Sequence, residues 1–371
     1  IALFAIFLLS ACAVTPRGPV EIDDLRDPQI PGIEGARYWA DATPENLSDV
    51  LREAERQRRA SGLSGDYATL ALSGGGENGA FAAGILAAWS ASGTRPDFLN
   101  VTGVSTGALA APFAFLGPEY DDELRRLYGG LQSNEIVRFR GIFQVLPNAS
   151  VANPEPLKRL IEDYVTDEFL AKISAEHKRG RRLVVQTVSL DAQRPVIWNL
   201  GVIASSGAPN AKQLFRDVLL ASASIPGVFP PVFIEIETPN GVREELHVDG
   251  GVISQSAFAQ GWRIPDVVTG RSTLYAIRNG KVTPEAEILE PRLFSVMSRS
   301  LATLVKAQGT DDLRIAYERG KRTGSVFRAT WISADFDHPL DTPFDPEYMR
   351  ALYNYGYERF QSGNLWSTQP P

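Results

Sequence analysis

Asn100-Val101-Thr102-Gly103-Val104-Ser105-Thr106-Gly107-Ala108-Leu109 is the stretch on which the reading of this 371-residue chain turns. It reads as a buried strand, a tight turn and the start of a helix of small residues. Gly103, Ser105 and Gly107 stand at G-x-S-x-G spacing, which suits a sharp strand-to-helix elbow. The residues flanking such a serine must be small, and the turn leaves its hydroxyl at the sheet edge. The helix starting beside it offers unpaired N–H groups to a developing oxyanion.

Working outward, the pattern predicts a strand over 67–72 running into Ser73-Gly74-Gly75-Gly76-Glu77-Asn78-Gly79. A helix follows with Phe81, Ile85, Ala88 and Trp89 on one face. Strand, helix, strand, helix in this rhythm argues for a parallel α/β sheet. Earlier, Thr43-Pro44-Glu45 reads as an N-cap, a proline at the first helical position and an acidic first turn of a charged surface helix. Residues 120–176 read as a mostly helical, polar excursion over the site. Paired strands are predicted over 182–190 and 195–200, a helix over 213–223, and a hairpin over 232–248 turning at Asn240-Gly241. The remainder predicts strands over 273–278 and 325–332 and helices over 294–306, 311–321 and 346–360.

The glycine loop admits two uses. Gly74, Gly76 and Gly79 satisfy G-x-G-x-x-G between a strand and a helix, as a dinucleotide site would. That use wants an acid at the tip of the next strand, but Asp97 precedes the strand and Gly103-Val104-Ser105 ends it. No Gly-Lys-Ser/Thr follows, which excludes a P-loop. The other use is an oxyanion hole, in which consecutive glycines aim backbone N–H groups at a negative oxygen. A serine elbow at the next strand's tip selects acyl transfer.

A serine nucleophile needs a base. Of three histidines, His177 falls at a basic, exposed helix end, His247 alternates with Asp249 as a packed strand residue, and His338 sits in a polar loop. A Ser-His-Asp esterase could draw on His338 with Asp249. The better partner for Ser105 is Asp249 itself, in Asp249-Gly250-Gly251, because two glycines let a carboxylate at a strand end approach closely. Taken alone, that triplet is equally an ordinary Asp-Gly turn.

Three blocks in fixed order then resemble the patatin-like phospholipases: 73–80, 103–107 and Asp249-Gly250-Gly251, with Ala221-Ser222-Ala223-Ser224-Ile225-Pro226-Gly227-Val228-Phe229-Pro230-Pro231 between the last two. The resemblance covers about residues 67 to 255. It implies a three-layer α/β fold with a mainly parallel central sheet and helices on both faces. It also implies Ser105 as nucleophile, Asp249 as its base and the Gly74, Gly75, Gly76, Glu77, Asn78 and Gly79 backbone as oxyanion hole. The activity implied is hydrolysis of lipid acyl esters, of phospholipase A or lysophospholipase type, without cofactor or metal. One departure stands out: the family's glycine loop usually carries Arg or Lys where this chain has Asn78. A catalytically silent lipid- or partner-binding protein is the rival expectation that this departure supports. Phe81, Phe113, Phe229 and Phe233 are the aromatic residues placed to line an acyl channel, although core packing accounts for each of them.

The front of the chain bears on location. Residues 1–9 form an apolar run too short to span a bilayer, followed by small Ser10 and Ala11 and then Cys12. Leu9-Ser10-Ala11-Cys12 resembles the bacterial lipobox, in which the cysteine is lipidated. Cys12 is the single cysteine, so intrachain disulfides and a multi-cysteine metal site are excluded. Several acyl chains at ~0.8 kcal/mol per buried methylene hold such a protein on a membrane. Ala13 in place of Asp implies, by resemblance to sorted lipoproteins, the outer membrane of a bacterial envelope. Lys and Arg total 37 against 44 Asp and Glu, a formal net charge of -7 with no basic stripe, which argues against a nucleic-acid partner.

The expected organisation is therefore a signal peptide over 1–11 ending in the lipobox, then a lipidated cysteine, tether and helix over 12–66. A catalytic core follows over 67–255, and residues 256–371 complete the same domain. The sequence carries no signal for oligomeric state.

Overall fold

The computed structural model describes residues 18, 21–63, 65–140, 150–257, 262 and 271–371; Cys12 and the run before it lie outside them. Its strands are β1 (Arg37–Trp39), β2 (Tyr67–Leu72), β3 (Asn100–Val104), β4 (Arg138–Phe139), β5 (Ala152–Asn153), β6 (Arg182–Ser189), β7 (Arg194–Asn199), β8 (Val232–Thr238), β9 (Gly241–Asp249), β10 (Ser272–Lys281) and β11 (Val326–Ile332). Its helices are α1 (Leu47–Ala60), α2 (Gly79–Ala91), α3 (Thr106–Leu116), α4 (Asp121–Gly129), α5 (Ser133–Ile136), α6 (Glu155–Tyr164), α7 (Asp167–Lys178), α8 (Leu200–Ser205), α9 (Ala211–Ser222), α10 (Leu293–Thr323) and α11 (Pro346–Gln361).

The main sheet runs β1-β7-β6-β3-β2-β10-β11. Its middle is parallel from β6 through β11, as the strand–helix rhythm predicts. The antiparallel part is β7 and β1 on one side, with β9 and β8 joining through β6. Strands β10 and β11 extend the same sheet beyond β2, so the C-terminal third completes one layer rather than starting another.

β6 fixes the geometry of the site. Along one edge, its residues Arg182 to Gln186 pair with Asn100 to Val104 of β3, and Thr187 to Ser189 pair with Asp249 to His247 of β9. The two partner strands therefore lie end to end on a single edge. Val104 sits against Gln186 and Asp249 against Thr187, one register position apart.

Burial explains the central elements. Leu70, Leu72, Val101 and Val104 are solvent-free, as a parallel strand covered on both faces requires. Helix α2 is buried almost all round rather than on the one expected face, because α11 covers its outer side. Trp89 there stacks among Phe98, Tyr275, Phe360 and Trp366, with ring centroids 4.9–5.7 Å away.

Several boundaries differ from expectation. α1 begins at Leu47 with Asn46 as N-cap; Pro44 instead closes a turn by accepting the Leu47 N–H at 3.2 Å. The excursion over 120–176 is amphipathic rather than polar, burying Leu124, Leu127, Ile136, Leu157, Ile161 and Phe169. The two helices expected over 294–321 are the single α10. Gly309 does not break it; a Cβ there would sit 2.4 Å from Arg278 Nε, so the glycine serves a close approach. No helix among the described residues is long and apolar enough to cross a membrane.

Candidate active site

Ser105 occupies the turn between β3 and α3 with φ 56° and ψ −126°, a conformation that costs a non-glycine residue of order 1–3 kcal/mol. The flanking glycines make that turn possible. A Cβ on Gly103 would stand 2.3 Å from the Gly107 carbonyl, and one on Gly107 would stand 2.3 Å from the Leu72 carbonyl. The strained turn is pinned from behind, since the Ser105 N–H donates to Ser222 Oγ at 3.0 Å. Ser222 in turn donates to the Gln186 carbonyl at 2.7 Å. Ser105 is buried, as is Asp249.

The two side chains face each other, and the Ser105 hydroxyl is near enough to favour the charged form of the Asp249 carboxyl. The Gly251 N–H donates to Asp249 Oδ1 at 2.7 Å, and Gly250 lies flat against the Gln186 carbonyl, where a Cβ would come within 2.6 Å. Burial pushes the Asp249 carboxyl up to about 7, against the opposing pull of the Ser105 hydroxyl and the Gly251 N–H. A carboxyl poised near neutrality beside a serine hydroxyl can take up its proton.

The glycine loop passes directly over this pair, with the Gly74 Cα side 3.2 Å from Ser105 Cβ for an added methyl. Not all of its amides are free. Gly74 N–H donates to the Gln255 carbonyl and Asn78 N–H to the Gly75 carbonyl, both at 3.1 Å. Gly75 lies so close to β10 that a Cβ would meet the Asn279 carbonyl at 2.1 Å, and Gly76 has φ +58°. Gly79 starts α2 packed on Thr106 and Tyr128. Burial raises the Glu77 carboxyl above its ordinary range. Asn78 points away toward α11, where its Oδ1 accepts from the Tyr348 hydroxyl at 2.6 Å.

None of the three histidines serves Ser105. His247 is buried with both ring nitrogens occupied, Nε2 by Glu245 at 2.7 Å and Nδ1 by Thr187 Oγ1 at 2.9 Å. His338 is half-buried on its loop, its ring against Phe336 and Tyr348 and its Nδ1 3.0 Å from the Pro339 carbonyl. His177 is buried, not exposed as expected. It closes α7 against Gly201, and burial pulls its pKa down to about 3, so the ring is neutral.

Beside Gly76 and Thr106 opens a narrow apolar cavity of about 50 Å³, walled by Leu109, Leu127, Ile136, Leu157, Tyr164 and Met349 among others. The four phenylalanines expected along a channel are not in its wall: Phe81, Phe113 and Phe229 are core, and Phe233 is exposed. The wall comes instead from α4, α5 and α6 and from the start of α11, whose apolar residues at helical spacing read in sequence as ordinary core positions. Among the described residues no group of three or more His, Cys, Asp and Glu is arranged to hold a metal ion.

A family model described as "Patatin-like phospholipase" matches residues 70–260. No curated protein sequence matches. Among solved structures, VipD from Legionella pneumophila is similar with a TM-score of 0.40 and 12% identity, covering 80% of this chain and 66% of that one. Human GIVD cytosolic phospholipase A2 is similar with a TM-score of 0.35 and 10% identity, covering 89% of this chain and 65% of that one. The chain thus spans just under two thirds of the length of either structure.

Proposed function

The chain belongs to the patatin-like phospholipase family, and on that premise we propose that it is a serine acyl-ester hydrolase of lipids working through Ser105 and Asp249. The observation that carries this reading is the buried carboxyl near neutrality, facing the hydroxyl of a serine on a strained turn. The apolar cavity beginning at Gly76 and Thr106 takes the acyl chain.

In the first half-reaction Ser105 Oγ forms a bond to the ester carbonyl carbon while Asp249 takes the hydroxyl proton. The Gly75 and Gly76 N–H groups face the resulting oxyanion, a contribution of roughly 3–4 kcal/mol per well-placed donor. Collapse breaks the ester C–O bond, and Asp249 returns its proton to the departing alkoxide. In the second half-reaction water attacks the acyl-serine and passes a proton to Asp249. Collapse then releases the fatty acid, and Asp249 reprotonates Ser105 Oγ.

The test is direct. A fluorophosphonate probe is incubated with the purified protein and the Ser105 peptide is sought by mass spectrometry, alongside fatty-acid release from phosphatidylglycerol/phosphatidylethanolamine vesicles. Failure of both supports the silent-protein alternative instead. Because Asp249 acts as base, kcat/KM should rise with pH through about 7 and level off above it, the acid limb reporting the carboxyl raised by burial. Leu157→Trp, which fills the cavity wall, should raise KM about tenfold for long-chain esters and leave acetyl esters unchanged.

For location we propose attachment to the outer membrane through lipidated Cys12, for which the lipobox resemblance is the support. A Cys12→Ala variant recovered in the soluble rather than the membrane fraction is the expected result.

A further inference from the structure

Arg278 near the end of β10 is only 4% exposed, yet it reaches the site from outside the 70–260 segment. Its Nη1 lies 3.3 Å from the Gly74 carbonyl oxygen, 3.3 Å from Gln255 Oε1 and 3.4 Å from Ser73 Oγ. Its Nη2 donates to the Val305 carbonyl of α10 at 3.2 Å, while Nε is buried without a hydrogen-bond partner. The charge it feels is Asp312, whose carboxylate accepts the Gln255 and Ser256 N–H groups at 2.6 and 3.0 Å. Burial lowers the guanidinium to about 10, so it stays charged at neutral pH.

Burying a cation is costly, and this one is spent on neutral acceptors beside the glycine loop. The Gly74 carbonyl shares a peptide group with the Gly75 N–H. Donation to that oxygen polarises the peptide and strengthens the N–H as a donor. The second acceptor leads elsewhere: Gln255 Nε2 donates to the Gly251 carbonyl at 2.8 Å, and the Gly251 N–H holds Asp249. A single guanidinium therefore joins the glycine loop to the acid turn.

We propose that Arg278 is a positioning residue for ester hydrolysis, tying the Gly74–Gly76 loop to the Asp249 turn and placing a fixed positive charge behind the oxyanion donor. This rests on the hydrolase reading above.

The experiment first measures wild-type hydrolysis of p-nitrophenyl butyrate; absence of turnover there removes the hydrolase reading and leaves nothing for Arg278 to assist. With turnover present, Arg278→Met is expected to lower kcat about 100-fold with KM within threefold. Millimolar methylguanidinium should then recover at least a tenfold part of the loss. A kcat within threefold of wild type, or a loss that appears in KM and is indifferent to methylguanidinium, overturns the proposal. Should Arg278→Met fail to fold, Gly309→Ala provides the second measurement. Its methyl would displace Nε from 2.4 Å while leaving the loop and the acid turn untouched. A tenfold lower kcat at unchanged KM supports the assignment, and an unchanged kcat overturns it.

Discussion

Asp249→Asn is expected to lower kcat by about 10³-fold or more and, above pH 7, to make the protein more stable than the parent. The two effects have one origin. Burial raises the Asp249 carboxyl from 3.8 to about 7, so the folded state holds this proton more tightly than the unfolded chain does. The stabilising contribution is whole below the unfolded value and is lost as pH rises through about 7. At about 1.4 kcal/mol per pH unit of separation, the loss at pH 8 is on the order of 4 kcal/mol. An amide carries no charge to desolvate and escapes it. Melting temperatures of parent and variant should therefore converge near pH 4, diverge between pH 4 and pH 7 and stay apart above it, with the inactive variant higher. Parallel curves across that range would falsify the account of a base held ready by burial.

Ser105→Gly is expected to abolish turnover as completely as Ser105→Ala, yet to melt at a higher temperature than either Ser105→Ala or the parent. At φ 56° and ψ −126° any side chain is strained by about 1–3 kcal/mol, and glycine is not. Glycine's larger unfolded-state entropy returns about 0.5–1 kcal/mol of that, leaving a net gain of roughly 1 kcal/mol. The alanine variant keeps the Cβ and hence the strain. Equal melting temperatures for the two variants would show that the turn stores no conformational energy. Both variants keep the Ser105 N–H and with it the bond to Ser222 Oγ, so the comparison isolates the side chain.

Much of this was legible because the decisive signals are local. The run Tyr67–Leu72 is apolar between glycine punctuation, and its observed limits match the reading. Gly103 and Gly107 betray the elbow because no other residue fits between neighbouring backbones. What stayed hidden depends on distant packing. Gln255, Arg278 and Asp312 form one cluster, but nothing in their neighbourhoods separates them from surface polar residues. The single α10 read as two helices, and Gly309 between them is set by the approach of Arg278, which no local signal shows. His177 read as exposed because its flanking Lys178 and Arg179 mask an imidazole that turns inward. The cavity wall was missed for the same reason, since helical apolar spacing does not tell a packed core from a lined void.

The end-to-end arrangement of β3 and β9 on β6 has a consequence for synthesis. During translation Ser105 leaves the ribosome long before Asp249, and β6 must already be seated beside β3 to receive the later strand. A prematurely terminated chain ending short of β9 carries the alcohol on its turn with no acid to activate it. Whatever chemistry this pair performs can begin only once the chain has been made past Asp249, which keeps products truncated before it inert.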